Sequence, residues 1–167
     1  MNRREGANIK VKKIIRLGSI AVVSLLTIVG LWGCKKEPYT LGVVGYNYTD
    51  RAIADFSVDR QWGGNVVLST STSGGGGTMC CVVINRRIET PFWVDVEYQM
   101  DALESYPPRK MIEPAGKYVK ERVEVKGPIP PDPGYLEIHF YPDHHIEAAI
   151  SGKDGPSAPR LKLDRRL

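Results

Sequence analysis

Phe92-Trp93-Val94-Asp95-Val96-Glu97-Tyr98-Gln99-Met100 alternates without a break: Phe92, Val94, Val96, Tyr98 and Met100 share one phase, and Trp93, Asp95, Glu97 and Gln99 share the other. Side chains along a β-strand point to opposite faces with period two, so this stretch predicts a strand with one face in a core and the other in water. Trp93 sits on the polar phase. It is either covered by a loop or by the proline-rich connector, or left free to meet a partner.

The same period continues on both sides. Lys117 to Val125 sets Val119, Val123 and Val125 against Tyr118, Lys120, Arg122 and Glu124. Tyr39 to Thr49 places Leu41, Val43, Gly45 and Asn47 on one phase, with Val44, Tyr46 and Tyr48 on the other, and Ile53 to Asp59 reads as a second strand. Gln61-Trp62-Gly63-Gly64-Asn65 reads as a turn, with Val66-Val67-Leu68 as the return strand. Ser69 to Thr78, with Gly74, Gly75, Gly76 and Gly77, reads as a loop. Cys80-Cys81-Val82-Val83-Ile84 is a continuous apolar run, the pattern of a fully buried strand.

Pro107, Pro108 and Pro114 forbid a long helix between Ala102 and Gly116, leaving a loop with at most one helical turn. Pro128, Pro130, Pro131 and Pro133 make a stiff extended connector. Beyond it Leu136, Ile138 and Phe140 are expected to face inward and Glu137, His139 and Tyr141 outward. Pro142-Asp143-His144 should turn the chain into His145 to Ile150 as a hairpin. About eight short strands with glycine and proline turns, and no long helix after the leader, predict an all-β fold. The expected architecture is a single small antiparallel β-sandwich or barrel-like domain over residues 39–151, followed by a flexible tail at 152–167 with little to bury.

The N-terminus is different in kind. Arg3, Arg4, Lys10, Lys12, Lys13 and Arg16 precede an uncharged run from Leu17 to Leu31, the layout of a signal peptide. That run is shorter than the roughly 20 apolar residues a membrane-spanning helix needs. Leu31-Trp32-Gly33-Cys34 follows and resembles a bacterial lipobox, with Leu31 and Gly33 matching and Trp32 bulkier than the usual small residue. The resemblance implies a lipoprotein signal peptide over 1–33, lipidation at Cys34 and a short tether over 34–38. Two or more acyl chains hold a protein stably on a membrane, so the membrane lipid anchor would be permanent. Lys35 in place of aspartate after the cysteine implies the outer rather than the inner membrane, on the periplasmic side. The other reading is a signal anchor in which Cys34 is incidental.

Charge narrows the function classes. The chain has 23 Lys and Arg against 19 Asp and Glu; six of those bases and one acid precede Cys34, leaving 17 against 18, a net of −1. With no excess of positive charge, nucleic acid is excluded as a partner. After Cys34 the remaining cysteines are Cys80 and Cys81. Ordinary disulfide geometry wants Cα atoms about 4.4–6.8 Å apart, farther than neighbours reach, so either a vicinal disulfide or one buried and one half-exposed thiol is open.

Motifs for catalysis are missing. The glycine run is followed by Thr78-Met79-Cys80 rather than the Lys-Ser/Thr of a phosphate loop. His139, His144 and His145, even with Asp143 or Glu147, have no zinc-site spacing and read as surface histidines. No Gly-x-Ser-x-Gly elbow occurs, and Asp50, Asp55, Asp59, Asp95, Glu97 and Asp101 alternate as a solvated face does. A non-enzymatic protein with no metal and no cofactor is expected. Trp62, Trp93, Tyr46, Tyr48 and Tyr98 supply side chains of the type that dominate protein interfaces. The expected partner surface is Trp62, Gly63, Gly64 and Asn65, with the glycine run at Gly75 and Gly76, and Trp93.

Gly45-Tyr46-Asn47-Tyr48-Thr49-Asp50, Gly63-Gly64-Asn65 and the stretch from Gly74 to Cys81 resemble a family of bacterial lipoproteins that carries a domain of unknown function. The resemblance covers most of residues 38–150. It implies an immunity protein that captures a type VI secretion lipase effector in the periplasm. The alternative is a structural or accessory envelope lipoprotein with no toxin partner.

Overall fold

The computed structural model describes residues 37–165. The leader, Cys34 and the first part of the tether lie outside the described residues.

Ten strands follow in order: β1 (Tyr39–Asn47), β2 (Ile53–Val58), β3 (Gln61–Val66), β4 (Gly75–Ile84), β5 (Phe92–Met100), β6 (Leu103–Ser105), β7 (Lys110–Glu113), β8 (Val119–Val125), β9 (Pro133–Phe140) and β10 (Ile146–Gly152). Eight of them close into a barrel in the order β1-β4-β3-β2-β5-β8-β10-β9, while β6 and β7 form a separate two-stranded sheet. An eight-stranded barrel is just wide enough for side chains to fill it. Leu41, Val43, Phe56, Val58, Val66, Val94, Val96, Val123, Leu136, Ile138 and Phe140 are among those that do.

β5 has the predicted half-solvated character, and it pairs antiparallel with β2 on one side and β8 on the other. Val94 lies opposite Val123 and Val96 opposite Val58, so inward residues meet inward residues across three strands. The barrel-like expectation holds, with one correction: the sheet is mixed rather than antiparallel. β1 runs parallel to β9, from Gly42 opposite Tyr135 to Asn47 opposite Phe140, and β10 meets β8 in parallel at Ala148 and Val125. The cause is the proline-rich connector, which carries the chain past the place that β10 later takes and sets β9 beside β1. The predicted β9–β10 hairpin forms.

Four local expectations are also corrected. The reversal after β2 is made by Asp59 and Arg60, with φ of 49° and 69°, the backbone of a two-residue hairpin turn whose twist matches its strands. Trp62, Gly63, Gly64 and Asn65 therefore belong to β3 rather than to a turn. Asp59 fixes this turn to β5, since the Asp95 N–H donates to its Oδ1 at 2.9 Å and its own N–H donates to the Asp95 carbonyl at 2.8 Å. Gly75, Gly76 and Gly77 open β4 instead of lying in a loop. Cys80 to Ile84 is buried on one face only: Val82 and Ile84 are inside, while Val83 is exposed. Finally, Ala102 to Gly116 forms the β6–β7 hairpin, with Pro107 and Pro108 between the strands rather than within them.

The C-terminal segment expected to be flexible has much to bury. Leu161 and Leu163 pack with Tyr135 and Tyr141 on Val44, Tyr46 and Tyr48, the outward phase of β1. β1 and β9 are thus buried on both faces, inside by the core and outside by this strap. Among the described residues, the buried hydrophobic side chains of both clusters run from Leu41 to Ala148.

Close approach of strands sets the glycine positions. A Cβ on Gly76 would lie 2.6 Å from the Gly45 carbonyl oxygen, which is backbone and cannot swing away, whereas a Cβ on Gly77 would have nothing within 4 Å. Gly76→Ala should therefore lower stability by about 1–3 kcal/mol. Gly77→Ala should change it by less than about 0.5 kcal/mol in urea unfolding. Equal effects of the two substitutions would show that strand contact is not what the glycine run serves.

Candidate functional site

The outer wall of β3, β2, β5 and β8 carries exposed aromatics among charges, and the strand register orders them. One row across the wall is Trp62, Ser57, Glu97 and Lys120; the next along β5 holds Asp95 opposite Arg122, and beyond it Trp93 lies opposite Glu124. Trp62 is 52% exposed and Trp93 50% exposed, so both rings face solvent rather than a loop or the connector. Strands lie about 4.8 Å apart and residues about 3.4 Å, which puts the two indoles roughly 17 Å from each other.

Neither ring is loose. The Trp62 indole N–H donates to Asp55 Oδ1 at 2.5 Å, and the Tyr118 hydroxyl donates to Asp55 Oδ2 at 3.2 Å. One carboxylate thus holds two exposed aromatics by their polar groups. That hydrogen bond, with some burial and nearby carboxylate charge, keeps the Tyr118 hydroxyl above its ordinary pKa. The Arg122 guanidinium lies 5.7 Å from the Trp93 ring centroid, a cation–π distance. Between the indoles is an open cleft of about 520 Å³ lined by Ser57, Asp59, Arg60, Asp95, Glu97 and Lys120, with Lys120 Nζ bridged to Asp95 at 3.0 Å.

The predicted partner residues divide. Trp62, Trp93 and Asn65 are exposed, but Gly63 and Gly64 are buried. A Cβ on Gly63 would meet the Phe56 ring at 2.2 Å, so Gly63 serves packing inside the wall, while Gly64 holds a backbone φ of 92°. Gly75 and Gly76 are half-buried where β4 approaches β1 and β3, away from the indoles. The sulfurs of Cys80 and Cys81 are joined to each other, with Cys80 exposed and Cys81 half-buried. The sequence reading left out Asp55 as a positioning group, and Tyr118, Lys120 and Arg122. Their outward phase in the Lys117–Val125 alternation was the available signal.

A second cluster lies on the opposite wall, and here the expectation of surface histidines fails. His139 is fully buried, its ring stacked 4.3 Å from that of Tyr46. A continuous relay runs through it: the Arg160 N–H donates to the Tyr48 oxygen at 2.9 Å, the Tyr48 hydroxyl donates to His139 Nδ1 at 3.1 Å, and His139 Nε2–H donates to Glu137 Oε2 at 3.4 Å. The Ser157 N–H donates to Glu137 Oε1 at 2.6 Å, and the Tyr46 hydroxyl donates to the Ser157 carbonyl at 2.6 Å. This assignment uses neutral His139 and ionised Glu137, and it pairs every atom named. His144 and His145 do lie at the surface, where His145 stacks on Tyr141 and meets Asp143. Among the described residues no group of three His, Cys, Asp or Glu side chains is placed to hold a metal ion.

Burial pushes the His139 imidazole down from its ordinary pKa, against the pull of Glu137. Burial alone would raise the Glu137 carboxyl, but hydrogen bonds from His139 and Ser157 overcome it and bring it to about 2. Both groups titrate lower in the folded chain than in the unfolded one, so the unfolded chain takes up protons first and acid destabilises. Stability should begin to fall below about pH 6.5 through His139, then fall further from about pH 4.5 towards pH 2 through Glu137, the second loss being on the order of 3 kcal/mol. Thermal melts from pH 8 to pH 3 check this. Glu137→Gln should flatten the lower limb, and an unchanged limb would remove the carboxylate from the account.

No curated protein and no solved structure matches the chain. A family model described as a protein of unknown function, DUF3304, matches residues 46–148, from the end of β1 into β10. That span holds Trp62, Trp93, Asp55 and Tyr118 together with Glu137 and His139, and it stops short of the strap. The chain is a member of the DUF3304 family.

Proposed function

We propose that the protein is a non-catalytic binding protein of the bacterial envelope, held by lipid at Cys34 on the periplasmic side, with the outer membrane as its site. Its partner is a type VI secretion lipase effector, which it neutralises as an immunity protein. The observation that carries the binding role is the aromatic wall: two half-exposed indoles and Tyr118, fixed by Asp55 and Arg122 around a charged cleft. Rigid Trp and Tyr side chains give large contact area at low entropic cost, and Trp, Tyr and Arg are the residues that dominate interface energies.

The non-catalytic reading is supported by how the titratable groups are used. Glu137 and His139 form the most acid–base-like pair, yet both are sealed beneath the strap and committed to Ser157 and Tyr48. A substrate would have no access to them. The lipid anchor and the lipase partner rest on the sequence resemblances. A structural or accessory role in the envelope, with no toxin partner, uses the same aromatic wall for an envelope component.

Survival of sensitive cells that carry a type VI secretion lipase effector in the periplasm distinguishes the two readings. Co-expression of this chain with Cys34 intact should rescue growth, and His144→Ala with His145→Ala should leave rescue unchanged. Trp62→Ala and Trp93→Ala together should weaken the complex at least about tenfold, as expected when interface anchors are truncated. Absence of rescue with the lipoprotein present and membrane-bound would shift the assignment to the accessory role.

A further inference from the structure

The β6–β7 hairpin exposes side chains that a water-soluble surface normally hides. Tyr106 is 87% exposed, Met111 59% and Ile112 58%, and Pro107 and Pro108 beside them are exposed as well. The hairpin is a sheet of its own, with no barrel strand hydrogen-bonded to it. A two-stranded ribbon is marginal in water even without an apolar tip. Tyr118 and Val119 continue the exposed apolar surface towards the barrel.

Charge says what covers it. Ser105 to Ile112 contains Arg109 and Lys110 and no carboxylate. Of the two acids of the hairpin, Glu113 lies at its base and is bridged to Arg51 at 2.5 Å, while Glu104, opposite Met111, is bridged to Arg109 at 2.6 Å. Lys110 makes no ion pair among the described residues, so the tip presents net positive charge. A tyrosine, a methionine and an isoleucine beside an unpaired lysine, with both acids bridged, form the combination that sits in the boundary between anionic headgroups and acyl chains.

The base is stiff enough to hold the tip out. Glu113 is tied to Arg51, the Gly116 N–H donates to the Met100 carbonyl at 3.0 Å, and Gln99 Nε2–H donates to the Gly116 carbonyl at 2.8 Å. The hairpin leaves the barrel at the end where Met100, Asn47 and Phe140 lie, while Tyr39 begins β1 at the other end.

We propose that the β6–β7 hairpin is a membrane-contact element that inserts Tyr106, Met111 and Ile112 into the interface of an anionic phospholipid surface, with Lys110 at the headgroups. This goes beyond capture of a protein partner and needs neither the lipase nor the aromatic wall.

The test uses the full chain with a single tryptophan at the tip, Tyr106→Trp combined with Trp32→Phe, Trp62→Phe and Trp93→Phe, incorporated into vesicles of phosphatidylglycerol and phosphatidylethanolamine with brominated acyl chains. The tip fluorescence should shift to the blue and be quenched. Lys110→Glu in this background should weaken the quenching at least about fivefold, because reversing a charge opposes the surface potential. Met111→Ser with Ile112→Ser should abolish it without lowering the thermal midpoint. Unquenched, water-like emission in these vesicles would overturn the proposal. So would a tip that becomes shielded only on adding the purified lipase, which would assign the hairpin to a protein partner.

Discussion

The barrel depends on burying one strand from both sides. β1 runs parallel to β9 and, unlike the half-solvated β5, it carries large side chains that need cover on both faces. Its inward residues Leu41 and Val43 fill the barrel, but its outward residues are Val44, Tyr46 and Tyr48, large and apolar. The strap from Lys153 to Arg165 meets that requirement by laying Leu161 and Leu163 over them. Covering the wall has a second consequence, because Glu137 and His139 on β9 lose their water. An unpaired buried charge would be costly, so the relay through Tyr48, His139, Glu137 and Ser157 is what makes this closure tolerable.

Polar groups on the two walls act differently for the same reason. On the covered wall each hydrogen bond satisfies a group that solvent cannot reach. On the open wall Asp55 is half-exposed and its two hydrogen bonds compete with water, so their effect is to fix the orientation of Trp62 and Tyr118 rather than to add much stability. Fixed rings lose little freedom when a partner arrives. The Asp59 turn, tied to β5 by two hydrogen bonds, holds the edge of the cleft in the same way.

The family match and the strap also separate. Residues 46–148 include most of the barrel, both indoles, the β6–β7 hairpin and the acidic and imidazole members of the relay. Ser157 and Arg160, which complete the relay from the strap, fall after the matched span.

Much of this was legible in the residues. Strict alternation fixes the class of β5, β8 and β9 because a strand exposes every second side chain, and it placed Val94, Val96, Val123, Leu136, Ile138 and Phe140 in the core. Exposed Trp62 and Trp93 were likewise singled out by being aromatic beside polar or glycine neighbours. Long-range pairing left no such mark. Whether β9 lies parallel to β1 depends on where the prolines deliver the chain, and local periodicity is the same for either direction. Burial of Glu137 and His139 depends on a strap some twenty residues later, whose only sign is the spacing of Leu161 and Leu163. Sequence by itself therefore determined the strands and the inward phase of most of them, since those follow from the period of the backbone. Tertiary structure alone decided the barrel's mixed order, the sealed relay and the grouping of Asp55 with Trp62 and Tyr118, because each is a contact between segments that no local rule connects.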